Sequence, residues 1–384
     1  MDLKEEETMT VQKKISRVVG IDCGNGLTNV RSVYPDGSPY VLTLPSIYNH
    51  AEKEGVSLGF DTVKAKDLEH ITVDGVEYIW GEGIAYISDP IETASTMDTR
   101  YQTSNFKTFV KVILGKVAKD IDIQPTEHIL VSTGVPSAQT NNKAAVEAIK
   151  KAFMGDSSKY PGLHKVEVEG TEYIINVADV IVTSQPLATV FSVYLDDNGK
   201  VADPTIPNKK IGVADIGGGT TDLDTVLPGF RRASNFASEG TGFNDVYYKI
   251  QKYIAEVNNA NIQVSEYVLL DIIQQAEAKA EAEGTEPVYL FKGSERQKEV
   301  DFTEVYRNAL IDLGRDVNTI ISKRWKDYKS FDKIYLVGGS AKRIAPYVEI
   351  LDEPDFPRDP GLSNVEGYFR FGMAYVNNKA KSEQ

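Results

Sequence analysis

Two short segments of similar design lie far apart in this chain: Gly20-Ile21-Asp22-Cys23-Gly24-Asn25-Gly26-Leu27-Thr28-Asn29 and Val213-Ala214-Asp215-Ile216-Gly217-Gly218-Gly219-Thr220-Thr221-Asp222. In each, an apolar run closes on an aspartate, and the small residues after it let backbone amides converge on an anion with no Cβ in the way. A single glycine-rich turn is what any tight hairpin uses. Two matched turns, each led by an aspartate, are the arrangement that clamps a polyphosphate from two sides.

The 384 residues, 41% of them apolar, suffice for two cored domains of an ordinary globular protein. Residues 1–14 and 377–384 are polar and charged and are expected to be solvated tails, and the first does not read as a signal peptide. The longest uncharged stretch, Val180 to Leu195, holds Ser184, Gln185 and Pro186 and is too short and polar to span a bilayer, so a cytoplasmic protein is expected. Cys23, the one cysteine, excludes internal disulfides and cysteine-rich zinc sites, and reads as a small filler beside the turn rather than a reactive thiol. The net charge of −14 disfavours direct binding to DNA, so any DNA would be touched through a basic partner. His50, His70, His128 and His164 form no metal-like pair, and neither a Walker A sequence nor a nucleophile elbow is present.

Along the chain, Val18 to Tyr34 reads as a strand, turn and strand, and Asp74-Gly75 signals another hairpin within a small inserted unit at about 36–100. Helical spacing marks Asn105 to Val117, Asn141 to Phe153 and Leu187 to Leu195, with a buried strand at Ile129 to Ser132. The second half repeats the plan: a strand, glycine-rich turn and strand over 211–227, helices at Phe243 to Val257 and Thr303 to Trp325, and a buried strand at Lys333 to Val337 running into Gly338-Gly339-Ser340. The acidic run from Gln275 to Glu286 reads as a solvated helix face. The expectation is an α/β fold of two duplicated domains around a cleft, 15–180 and 181–350, the second with a helical insertion at about 228–300 and with 351–376 returning to the first.

Taken in order, these segments resemble the five nucleotide motifs of the actin, DnaK and sugar-kinase superfamily, with its ribonuclease H-like fold, over residues 15–376. Residues 20–29 and 213–222 match the phosphate motifs, 129–139 the first connecting motif, 334–341 the adenosine motif and 364–374 the second connecting helix. The first turn is most similar to the plasmid-segregating actins of the ParM type. That resemblance implies an ATPase, with ATP or GTP and Mg²⁺, that polymerises with itself. It also implies a basic DNA-binding adaptor of the ParR type on the plasmid centromere, with no direct contact to nucleic acid or membrane.

Asp22 and Asp215, each ending a strand, suit a hydrated Mg²⁺, which keeps its waters and takes few carboxylates. Gly24, Asn25, Gly26, Leu27, Thr28 and Asn29, and Gly217, Gly218, Gly219, Thr220 and Thr221, are candidates for phosphate contact, with Arg31 as the family's basic residue. Glu239-Gly240 opens the next helix and is a candidate for the ribose or phosphates, and Gly338, Gly339 and Ser340 for the adenine. The resemblance puts Gln139 at the water-handling position, where ParM's pattern has Glu and actin's equivalent motif uses Gln; a glutamine orients water but takes no proton. A metabolic kinase of the same superfold would need an acidic base there. A chaperone ATPase would need an appended peptide-binding domain, and a cell-shape actin an amphipathic membrane helix, neither of which this chain offers.

Overall fold

The computed structural model describes residues 14–55, 67–93, 99–155, 157–259, 264–294, 297–351 and 353–382. Both aspartate-led turns are the tips of hairpins. The first joins β1 (Arg17–Cys23) to β2 (Leu27–Val33), pairing Asp22 with Asn29. It is followed by β3 (Pro39–Pro45), β4 (Ile47–His50), β5 (Leu68–Val73), β6 (Val76–Gly81) and β7 (Ile91–Glu92). Asp74 and Gly75 both take positive φ, 52° and 82°, the backbone that a two-residue turn needs to keep β5 and β6 in register.

Next come α1 (Ser104–Asp120), β8 (His128–Val135), α2 (Lys143–Met154), β9 (Leu163–Val168) and β10 (Thr171–Ser184). The side chain of Thr103 caps α1 and that of Asn142 caps α2, each accepting from amides of the first turn. All ten strands form one mixed sheet in the order β3-β2-β1-β8-β10-β9-β5-β6-β4-β7, with β1, β8 and β10 parallel. β3 forms one edge of this sheet beside β2, and the strands at 47–92 continue its other side through the pairing of β5 with β9 and share its core, where Tyr48 and Trp80 pack on Phe109 of α1.

The chain leaves through α3 (Gln185–Tyr194) into β11 (Ile211–Ile216), whose hairpin with β12 (Thr221–Leu227) pairs Asp215 with Asp222. β13 (Arg231–Arg232) and β14 (Ala237–Glu239) edge this second sheet. α4 (Asn244–Asn258), α5 (Glu266–Glu283), the short pair β15 (Leu290–Phe291) and β16 (Val300–Asp301), and α6 (Thr303–Arg324) precede β17 (Lys333–Val337), which lies parallel to β11. α7 (Ala341–Ile344) and α8 (Ser363–Ser382) complete the fold. α8 extends into the segment expected as a solvated tail, because Asn377 still bonds to Asn198 O at 2.7 Å.

Two helices therefore connect the halves, and each covers one sheet. Val190 of α3 packs with Ile211, Val213, Val226 and Val337 of the second sheet, and Phe369 of α8 with Val18 and Leu130 of the first. They cross where Phe191 stacks on Phe371 at 4.8 Å and Thr189 donates to Asn364 Oδ1 at 2.9 Å. The crossing is close enough to require glycine: a Cβ on Gly367 would stand 1.8 Å from Ala188 O. Gly367→Ala is expected to cost about 1–3 kcal/mol by forcing the helices apart, read as a lower urea midpoint at unchanged slope.

Candidate functional site

Asp22 and Asp215 end parallel-flanked strands of different sheets, and the fold brings them within electrostatic reach of each other. Burial pushes the Asp22 carboxyl from 3.8 up to about 6, against the nearby Arg100 charge and a hydrogen bond with Gln185. Burial pushes Asp215 further, to about 7, with Asp222 adding to the rise, a hydrogen bond from Asn364 opposing it, and Asp22 and Asp224 adding less. Asn364 Nδ2 reaches Asp215 Oδ2 at 3.2 Å from the start of α8. Ser137, Gln185, Pro186, Val213, Asp215, Asp222 and Asp224 together line a small cavity between the halves.

The second turn is shaped from behind by α4. Phe243 N donates to Gly217 O at 3.0 Å and Asn244 N to Gly218 O at 2.7 Å, which draws those carbonyls toward the helix. The amides of Gly218, Gly219 and Thr220 then donate to no protein acceptor among the described residues. Gly338, at φ 101°, lets β17 end against the same hairpin; a Cβ there would meet Ile216 O at 2.2 Å and Asp215 Oδ1 at 2.9 Å. Ser340 Oγ ties the turn to Ile216 O at 3.2 Å, and a Cβ on Gly339 would meet nothing within 4 Å. Thr220 donates to Asp222 at 3.0 Å and Thr221 to Thr241 O at 2.8 Å.

In the first turn, Gly24 O accepts from Ser46 at 2.9 Å, and the Asn25 side chain is held by Arg100. Gly26 O accepts from Ser46 N at 2.9 Å. Leu27 pairs with Pro45, Thr28 bonds Ser46 at 2.9 Å and Asn29 accepts from Thr43 at 2.8 Å, so these three residues tie β2 to β3 and to Ser46 just beyond it. Glu239 accepts from Arg324 Nε at 3.0 Å, and a Cβ on Gly240 would stand in open space.

Two expected assignments meet other partners in the structure. Arg31 lies opposite Gly20, on the sheet face that α8 covers, and its guanidinium is taken by Glu366 at 3.1 Å, Asp197 at 3.2 Å and the Phe369 ring. Its hydrogen bonds go to these carboxylates and to Ser32 O rather than to the turn residues 22–29. The segment 129–139 is β8 and the turn after it, not a connection between domains; α3 is the first connection, at 185–194. Gln139 accordingly sits in the turn after Pro136 with a buried, unpartnered Oε1 and does not line the cavity, whereas Gln185, the first residue of α3, does and bonds Asp22. Gln185, Asn364, Asp222, Asp224 and Arg100 were missed. The signal for Gln185 was the apolar run 180–182 ending in Ser-Gln-Pro, a strand running into a helix start.

A further contact links the halves at the cavity: Ser137 donates to Asp224 at 2.6 Å, and Arg232 donates to Ser137 O and Thr140 Oγ1, both at 2.8 Å. Burial pushes Asp224 up to about 6, the Ser137 bond and Arg232 opposing. No helix among the described residues is long and apolar enough to cross a membrane, and no group of three or more His, Cys, Asp or Glu there converges as a metal cage.

A family model for the N-terminal domain of actin-like proteins matches residues 20–187, and one for the C-terminal domain of the archaeal MreB-like actin homologue matches 213–349. This is an actin-like protein. Among solved structures it is similar to apo psk41 ParM, 21% identical with a TM-score of 0.67, covering 96% of this chain and 99% of that one. It is also similar to Bacillus thuringiensis ParM with ATP, at 16% and 0.65, covering 97% and 100%. A non-polymerisable quadruple mutant of pCBH ParM matches at 17% and 0.68, covering 93% and 98%. Among curated proteins none matches.

Both buried aspartates bind protons more tightly folded than unfolded, so between about pH 4 and 7 the metal-free actin-like fold loses stability as pH rises. Melting curves without metal or nucleotide are expected to show this decline, with a shallower slope for Asp215→Asn.

Proposed function

We propose that this chain binds ATP or GTP with Mg²⁺ between its two hairpins, hydrolyses it, and forms filaments whose persistence depends on the bound nucleotide. One observation carries the reading. Two buried carboxylates, neither ion-paired among the described residues, lie within electrostatic reach of each other at the two turns, and one turn presents three amides without acceptors. Carboxylates held partly protonated by burial suit a site completed by a cation, and unsatisfied amides suit an anion. A Mg²⁺ held through water by Asp22 and Asp215 would supply neutralisation of phosphate charge as the terminal phosphoryl group transfers.

The chain's own residues do the rest. Gly218, Gly219 and Thr220 present amides to phosphate oxygens, and Asn364 and Gln185 orient the two carboxylates. Gln185 also faces the cavity from which water would attack, and a side-chain amide there positions water without taking its proton. The adenosine is assigned to the open face at Gly339, beside Ser340. Filament formation and plasmid segregation through a basic adaptor are supported by the likeness to the ParM proteins and by the acidic charge of the chain, which calls for a basic intermediary at DNA.

Sedimentation and phosphate release with Mg²⁺ and ATP, ADP or no nucleotide test the reading. Pelleting with the triphosphate and slow loss as phosphate appears are expected; a chain that never pellets yet phosphorylates a sugar contradicts it. Within the same assay, Gln185→Ala is expected to lower turnover by about 10- to 1000-fold with little change in nucleotide affinity, and Gln139→Ala to remain near wild type. The reverse ranking returns the water to Gln139.

A further inference from the structure

With Arg31 facing α8, the first turn lacks the cation expected there, and a different arginine stands in that place. Arg100, in the short turn before α1, is only 8% exposed. Its Nη2 donates to Cys23 O and to the Tyr101 hydroxyl, both at 2.9 Å, and its Nη1 to Asn25 Oδ1. Its guanidinium lies 4.6 Å from the Tyr101 ring centroid, and its Nε is buried with no partner.

Four other buried or part-buried arginines hold carboxylates, Arg17 on Glu127 at 2.8 Å, Arg31 on Glu366 at 3.1 Å, Arg343 on Glu277 at 2.7 Å and Arg370 on Asp197 at 2.9 Å, whereas part-buried Arg232 bonds Ser137 O and Thr140 Oγ1. Arg100 has no carboxylate within ion-pair distance among the described residues; Asp22 acts on it only through space. A buried guanidinium is costly unless an anion compensates it. Two carbonyl-type acceptors and a phenol satisfy donors but leave the charge with no contacting anion, beside the turn assigned to phosphate.

We propose that Arg100 is the positioning residue that makes the site select a nucleoside triphosphate over a diphosphate, by fixing Cys23 and Asn25 and setting a positive charge that no anion contacts beside the first turn. The inference rests on the nucleotide reading above. A neutral donor would shape the turn equally well, so a purely structural Arg100 predicts equal effects on both nucleotides. A charge acting on the extra phosphate predicts an unequal one, because the triphosphate carries more negative charge into the same field. Lysine keeps the charge but not the two-pronged fork, so it should restore selectivity in part.

The test is calorimetric titration of Mg-ATP and Mg-ADP into wild type, Arg100→Ala, Arg100→Gln and Arg100→Lys, with circular dichroism to report folding. The expected result is an ATP-to-ADP affinity ratio lower by about 10- to 100-fold in the Ala and Gln variants, the range for losing a charge-assisted interaction, with partial recovery in Lys. The ratio is independent of the fraction folded, and if Ala and Gln do not fold, a lowered ratio in Lys alone supports the proposal. An unchanged ratio in every folded variant overturns it, whether or not both affinities fall together. A wild type that binds neither nucleotide overturns the functional reading and the inference with it, whereas selective wild-type binding with unaltered variants overturns the inference alone.

Discussion

The structure depends on holding Asp22 and Asp215 near each other in a place that water hardly reaches. Burial, first of all, makes their charged forms costly, raising Asp215 to about 7 and Asp22 to about 6. On the proposed reading, a cation bound between the hairpins would offset that cost. Around the pair, everything else serves position. The hairpins give each aspartate a strand end, and the parallel neighbours β8 and β17 fix those ends. α3 and α8 cross tightly enough at Gly367 and Ala188 that the two sheets keep their relation.

The crossing helices also carry the polar groups that touch the pair. Gln185 opens α3 and bonds Asp22, while Asn364, at the start of α8, bonds Asp215 and receives a bond from Thr189 of α3. A change in the charge between the aspartates is thus felt at once by both interdomain connections. This is the physical route by which nucleotide state would bias a two-domain conformation, since the groups that read the charge are the same ones that join the halves. The Ser137–Asp224 bond and the Arg232 contacts add a second link at the same cavity, where a buried Asp224 oxygen has no partner.

Features under the control of a local rule were legible in the sequence. The aspartate-led turns, the Asp74-Gly75 hairpin, the buried strand 333–337 and the helix 303–325 all arise from periodicity and glycine placement, and they appear within a few residues of their expected limits. Position across the sheet was not legible in the same way. Arg31 alternates onto the α8 face because of its register opposite Gly20, a fact that depends on which face a distant helix covers. Gln139 and Gln185 both come after a strand and before a helix, and only the tertiary arrangement, with α3 crossing α8, tells which strand leads out of the first sheet. Arg100 lies in a segment with no motif, some 75 residues from the turn it holds, so nothing local marks it.

The central claim is that a polyphosphate is gripped from both sheets at once. Hydrogen–deuterium exchange of the intact chain, with and without Mg-ATP, reads this directly at the backbone amides concerned. The account predicts concerted slowing in 20–29 and 213–222, with the strand end at 337–341 slowing alongside, since all three converge on Asp22 and Asp215. Protection confined to one of the two hairpins, or absent from both while the nucleotide is bound, would contradict it.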